Sequence, residues 1–279
     1  TGRVVQAGTQ QRSDPRFRFA CELVRNGYLG RLHTVTVAVP GGHLRLRDGG
    51  SALYLPIAPP PPSLDYDLWI GPAPMKPHRQ GICSYYWYFF SDYCAGWMQS
   101  WGVHHLDIAL WGLPSLGMGR VTVEGSAVWL TEGDPDVPFG WDITVTAADG
   151  LRLRFYDDTR SPYGHGVRFE GDRGWVHVVR GGIRAEPPSL LETTIRPHET
   201  RLRVSTHHMA DFLSCIRSRR EPAAPAEARH AATTLALICD IAARCGRRLV
   251  WDWSAERFVG DSSADRQLMR AARPPWALD

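Results

Sequence analysis

The sequence predicts an α+β fold: an open, mainly antiparallel β-sheet with helices on one face. Three observations carry this. β-Branched and aromatic runs are grouped in the middle, between residues 121 and 179. Turn chemistry joins them in consecutive hairpins, which pair antiparallel. Helical apolar spacing frames them, with Phe19, Leu23 and Val24 before, and Met209, Phe212, Leu213 and Ile216, then Leu235, Ile238 and Ile241, after.

Taken in order, residues 1–8 look like one short strand. Asp14 then caps a helix that has Pro15 in its first turn, and Gly27 stops it. Residues 34–39 form a β-branched strand. Residues 41–62 hold glycine and proline without sustained period and read as a long surface loop, as do residues 71–81. A dense aromatic run follows, and then a helix over about residues 101–111 with Val103, Leu106 and Leu110 on one side. Residues 121–130, 141–147, 151–156, 167–170 and 175–179 are extended. Asp149-Gly150 and Gly171-Asp-Arg-Gly174 supply hairpin turns. Gly246 ends the second late helix, residues 249–253 make a final strand, and residues 262–272 a last short helix.

Composition excludes several classes. Of 279 residues, 43% are hydrophobic, enough for a large core. No stretch approaches the ~20 apolar residues of a membrane helix. The net charge of +3 is spread along the chain, whereas a nucleic-acid binder gathers its cations on one face. The six cysteines show no two-residue spacing for zinc or redox chemistry, so neither a metal site nor a disulfide framework is expected. The chain opens on Thr1, with neither a start Met nor a targeting segment. That reads as a natural N-terminus lying upstream and leaves cytoplasm and periplasm both open.

The densest site candidate runs from Tyr93 to Asp107. Ala95, Gly96 and Gly102 are small enough to let a ligand approach the backbone. His104 and His105 open a helix, where the dipole disfavours a charged imidazole, and a neutral one can act as general base. Asp107 is three residues beyond His104, within reach on the same face. Against this stands the ordinary reading of a buried, hydrogen-bonded histidine pair. Both histidines on one metal ion is the poorer reading, because adjacent helical residues point apart. The aromatic run from Tyr85 to Phe90 suits either sugar stacking or core packing. Gln10 and Arg12 lie in a strand-to-helix loop of the kind that faces a cleft. His207 and His208 read as structural.

As a set, Gly8-Thr-Gln-Gln-Arg-Ser13, Asp67-Leu-Trp-Ile-Gly-Pro-Ala-Pro74, Trp101-Gly-Val-His-His-Leu-Asp-Ile-Ala-Leu-Trp111, His208-Met-Ala-Asp-Phe-Leu-Ser-Cys-Ile-Arg-Ser218, Arg248-Leu-Val-Trp-Asp252 and Arg273-Pro-Pro-Trp276 resemble the glucose-fructose oxidoreductase, inositol dehydrogenase and MocA (Gfo/Idh/MocA) family, in the right order over nearly the whole chain. The resemblance implies that residues 1–31 are the last strand and crossover helix of a truncated Rossmann domain. Residues 32–279 would be the C-terminal substrate-binding and oligomerisation domain, forming a homo-oligomer through its sheet. It implies NAD or NADP in the full-length protein and a sugar, polyol or sugar derivative as substrate. His104 takes the catalytic role. Arg12, Tyr93, Ser100, His105 and Asp107 fall at substrate-binding positions, and Gln10 and Arg12 at cofactor-binding ones. The glycine-rich fingerprint and the Glu-Lys-Pro lysine would lie upstream, so this chain alone is not expected to bind the cofactor tightly; Lys76-Pro77 is no substitute. Ser100 stands where the family usually has an Asp, and Cys94-Ala95 where it has a glycine pair. Dehydrogenation, redox-neutral glycoside hydrolysis and non-catalytic sugar binding or oligomerisation all remain open.

Overall fold

The computed structural model describes residues 2–42 and 54–276. One nine-stranded sheet organises the chain. Its strands are β1 (Leu32–Val39), β2 (Arg120–Val128), β3 (Gly140–Ala147), β4 (Arg152–Asp157), β5 (Gly166–Gly171), β6 (Gly174–Val179), β7 (Gly182–Glu186), β8 (Leu249–Asp252) and β9 (Arg257–Phe258). They lie in the order β7-β6-β5-β1-β4-β3-β2-β8-β9. Every neighbouring pair is antiparallel except β1 and β4, which run parallel with Val35 opposite Leu153 and Val37 opposite Phe155. β1 is thus inserted between hairpins that are continuous in sequence, so the local chain of hairpins does not reveal it.

The pleat explains which helices sit where. Val35, Val37, Ile143, Val145, Leu153, Phe155, Val167, Phe169, Val176 and Val178 alternate onto one face and are fully buried. Against that face pack α1 (Pro15–Arg25), α4 (Gly102–Gly112) and α6 (Ala226–Cys245). α4 lies over β1 and β5, α6 over β2, and α1 over β6. The opposite face carries Thr144, Thr146, Arg152 and Arg154, which leaves the sheet open on that side. The helices α2 (Tyr66–Ile70) and α3 (Gly96–Ser100) are single turns, and α5 (His208–Ser218) and α7 (Ser262–Asp265) lie towards the end of the chain.

The caps follow the sequence. Asp14 accepts from the Arg16 N–H at 2.9 Å and Pro15 opens α1. Gly246 closes α6 with φ +61°, a left-handed position that suits glycine. His207 caps α5 by accepting from the Ala210 N–H, and His208 bonds Ser13 Oγ and the Ala7 carbonyl. Both are structural.

Three expectations need correction. Residues 2–7 form no strand: a strand needs a ladder, and among the described residues only the Ala7 N–H finds a backbone partner, Ala224 O at 2.8 Å. β7 and β9 are additional strands, missed because Gly182–Glu186 and Arg257–Phe258 are short and polar. The last helix stops at Asp265, with a 3₁₀ turn to Leu268 and irregular chain beyond. Of the long loop, residues 43–53 lie outside the described residues, and Ile57 makes an isolated bridge to Arg79.

Candidate active site

Three pieces of chain far apart in sequence meet at the N-terminal end of α4. They are the 3₁₀ turn Gln10–Ser13, the α3–α4 junction, and the β6–β7 hairpin turn that carries Arg180. Together with Tyr85, Tyr88 and Trp97 they enclose a cavity of about 320 Å³, lined also by Gln10, Ser100, Trp101 and His104. That volume sits at the small end of the range for small-molecule sites.

α4 is placed by close contact. A Cβ on Gly102 would stand 2.6 Å from Phe155 Cζ, so glycine lets the helix start rest directly on β4. Gly96 likewise fills against Val137, where a Cβ would be 2.9 Å away. At Gly96 and Gly102 the space of a side chain is therefore taken by Val137 and Phe155.

His104 lines the cavity, and among the described residues its buried Nδ1 has no hydrogen-bond partner. Burial, and then the cations Arg180 and Arg229, hold its imidazole well below the usual range, at about 4. It is therefore neutral at pH 7 and able to accept a proton. The direction is the one expected for a helix N-terminus, but burial is the main cause. Ser100, one turn earlier, lines the same cavity, and so does Gln10.

Asp107 and Arg12 differ from the sequence reading. Asp107 is 0% exposed and receives Arg12 Nε at 2.7 Å and Nη2 at 2.8 Å, a two-pronged ion pair. Arg12 also stacks on Trp111, 5.0 Å from guanidinium carbon to ring centre. Burial pushes the Asp107 carboxyl up while Arg12 opposes it. The pair ties the 3₁₀ turn to α4. Neither group opens onto the cavity, because each is consumed by the other. His105 is also 0% exposed, one position round the helix from His104 as the 100° step per residue requires. Its Nδ1 lies 3.2 Å from Gln11 Nε2, and its ring is 4.7 Å from that of His165. Burial holds it neutral, well below the normal range. It supports the site and does not touch the cavity.

Tyr93 is the remaining displaced residue. It packs edge-on against Trp69 at 5.0 Å and lines a separate cavity of about 520 Å³ with Trp87, Asp92 and Arg270. The aromatic run divides accordingly. Phe89 and Phe90 are buried in a satellite core with Ile82, Val137 and Phe139, whereas Tyr85 and Tyr88 face the His104 cavity. Core packing holds for Phe89 and Phe90, while Tyr85 and Tyr88 stand where a ligand could stack.

Sequence reasoning missed Arg180, Trp97 and Gln11. Arg180 lies at a hairpin turn whose second strand was not recognised, so Arg180-Gly181 looked like any loop. Its guanidinium stacks 4.2 Å over Trp101, and its Nη2 donates to Gln11 Oε1 at 3.2 Å. Among the described residues no cluster of His, Cys, Asp or Glu has the arrangement to hold a metal ion, and all six cysteines are free. No helix among them is long and apolar enough to cross a membrane.

The nine-stranded, largely antiparallel sheet, backed by helices on one face, is an α/β domain with a histidine-bearing helix start packed over its inner strands. The chain belongs to the Gfo/Idh/MocA oxidoreductase family, whose C-terminal alpha/beta domain model matches residues 17–278. The same fold occurs in an NAD-binding protein from Listeria innocua, at 15% identity and a TM-score of 0.53 over 87% of this chain and 62% of that one. It occurs in the aldose-aldose oxidoreductase of Caulobacter crescentus complexed with glycerol, at 17% identity and a TM-score of 0.55 over 88% of this chain and 64% of that one. The WlbA dehydrogenase of Bordetella pertussis, solved with NADH and UDP-GlcNAcA, matches at 13% identity and a TM-score of 0.56 over 88% of this chain and 63% of that one. The chain therefore spans less than two thirds of these structures. No curated protein matches it in sequence.

Proposed function

We propose that this chain is the substrate-binding and proton-handling part of an NAD- or NADP-dependent oxidoreductase acting on a sugar, polyol or sugar derivative. The observation that carries the reading is His104: a neutral imidazole, held by burial, at the wall of a ring-lined cavity of small-molecule size. Its imidazole takes the proton from a substrate hydroxyl as the carbon beneath is oxidised. Tyr88 and Trp97 give the sugar ring flat apolar walls, and Ser100 and Gln10 offer hydrogen bonds. The family resemblance and the names of the solved relatives point the same way.

A pyrophosphate is normally cradled by backbone N–H groups at a glycine-rich strand-to-helix turn, and no such turn lies among the described residues. Those residues offer a cofactor only the rim of the cavity, where Gln10 sits; Arg12 is taken up by Asp107. When bound in the full-length protein, the nicotinamide would accept the hydride. On this reading residues 1–31 lead out of the dinucleotide-binding domain, residues 32–279 form the substrate domain, and the open sheet face pairs with a second copy. α1 nevertheless shares the core of the sheet.

The test is His104→Ala in the full-length enzyme, assayed for NAD(P) reduction on a panel of sugars and polyols. Turnover falls by ~10²–10⁴, the usual contribution of a general acid–base group. A rate within a few-fold of the unmodified enzyme refutes the assignment. Glycoside cleavage without net cofactor consumption would instead establish the redox-neutral hydrolase.

A further inference from the structure

We infer that the His104 cavity selects sugars bearing an acidic group, a carboxylate or a phosphate, which Arg180 receives. The inference rests on the oxidoreductase reading for the identity of the cavity, but its evidence is the charge built around it.

Arg180 is a lining residue of the cavity and the only cation among its lining residues. Arg180 is exposed overall, but its guanidinium is held in place. Its guanidinium lies flat on Trp101 at 4.2 Å, and its Nη2 is held by Gln11 Oε1 at 3.2 Å. Stacking plus one hydrogen bond fixes the plane of the fork and, among the described residues, leaves its other N–H donors unclaimed, the arrangement that suits bidentate recognition of an oxyanion.

The counter-charge is what the site lacks. Among the described residues no carboxylate comes within salt-bridge distance of Arg180, although most arginines of this chain that approach an acid pair with it, such as Arg12 with Asp107, Arg244 with Asp240 and Arg247 with Asp261. Arg229, on the first turn of α6, is a second cation felt at His104; among the described residues it makes no salt bridge, though it feels the Asp107 charge. Asp107, which Arg229 feels, is itself paired with Arg12. Ser100 keeps the cavity wall neutral where the family pattern would place a carboxylate. A neutral polyol leaves the Arg180 fork without an anionic partner. An acidic sugar supplies one and, with its ring against Tyr88 or Trp97, brings a hydroxyl towards His104.

The test is direct binding, read without turnover. D-glucuronate, D-glucose 6-phosphate, D-glucose and inorganic phosphate are titrated into the protein by calorimetry at constant ionic strength, and again into Arg180→Met and Arg180→Lys. An acidic sugar binds about tenfold or more tighter than D-glucose, corresponding to ~1.4 kcal/mol or more. Arg180→Met abolishes the preference and Arg180→Lys restores part of it. Tighter binding of glucuronate identifies the carboxylate as the partner, and of glucose 6-phosphate the phosphate. Equal affinity for charged and neutral sugars, no binding by any of them, or inorganic phosphate binding as tightly as both acidic sugars overturns the inference. So does a preference that survives Arg180→Met. In the full-length enzyme, a Met variant that raises KM for NAD(P) but not for the sugar would assign Arg180 to the nucleotide instead. The two readings separate cleanly. Binding that follows charge without any redox turnover sinks the oxidoreductase reading alone, and turnover of neutral sugars indifferent to Arg180 sinks this inference alone.

Discussion

The ion pair between Arg12 and Asp107 makes the sharpest stability prediction, because both ends are buried and their roles are unequal. The Arg12 side chain is 9% exposed and that of Asp107 0%, with contacts of 2.7 and 2.8 Å. Asp107→Leu leaves a guanidinium buried with only the Ala223 carbonyl, 3.4 Å away, to answer it. Breaking a buried pair in this way costs ~3–5 kcal/mol. Arg12→Met leaves the carboxyl behind, but burial already pushes Asp107 up, so it takes on a proton and the cost is smaller. The double variant strands neither charge and loses less than the sum of the singles, by up to ~3 kcal/mol. Urea unfolding of the four proteins at pH 7 measures all three quantities. Costs that add within ~0.5 kcal/mol, or an Asp107→Leu penalty below ~1 kcal/mol, would falsify the claim that the pair staples the 3₁₀ turn to α4.

Three further outcomes are expected. His105 is neutral in the folded protein but has an ordinary value near 6.5 when unfolded, so the unfolded state binds more protons below that pH. Stability is therefore full above about 6.5 and lost as the pH falls, by ~2 kcal/mol for one fully neutral histidine at pH 5; His105→Gln flattens the pH dependence of urea unfolding by that amount, and an unchanged slope counts against it. Gly102→Ala drives a methyl into Phe155, whose ring is fixed in the core, and costs ~1–3 kcal/mol by urea unfolding; a neutral or stabilising result means that α4 can lift off β4. Ser100→Asp places a carboxylate in the His104 cavity and raises the histidine's pKa, so the acid limb of the kcat/KM profile in the full-length enzyme moves upward; a limb that stays put separates Ser100 from His104.

Most of the sheet was legible because it is local. Asp149-Gly150 and the Gly171 to Gly174 turn carry hairpin chemistry, and alternation in β3 and β4 shows which side faces the core. The insertion of β1 beside β4 was not legible, since a parallel pair has no turn to announce it. β7 was missed for want of apolar alternation, and Arg180 was lost with it. The strand expected at residues 2–7 shows the reverse error: β-branched residues were present, but no neighbour supplied a ladder.

At the site, the His-His pair at a helix start marked His104 as a candidate, and the family resemblance added Ser100 and Gln10; the fold brings all three to one cavity. The residue pattern by itself did not say which histidine faces outward, since that depends on how α4 is rolled against Phe155 and Phe169, and the choice of His104 came from the resemblance. It could not tell that Arg12 and Asp107, 95 positions apart, would neutralise each other, nor that Tyr93 would turn to a different cavity. Local chemistry determined the elements, their caps and the candidate proton acceptor. Long-range packing alone decided which charges are spent in pairs and which, like Arg180, are left facing the cavity, because compensation is a matter of distance in space and the sequence records only distance along the chain.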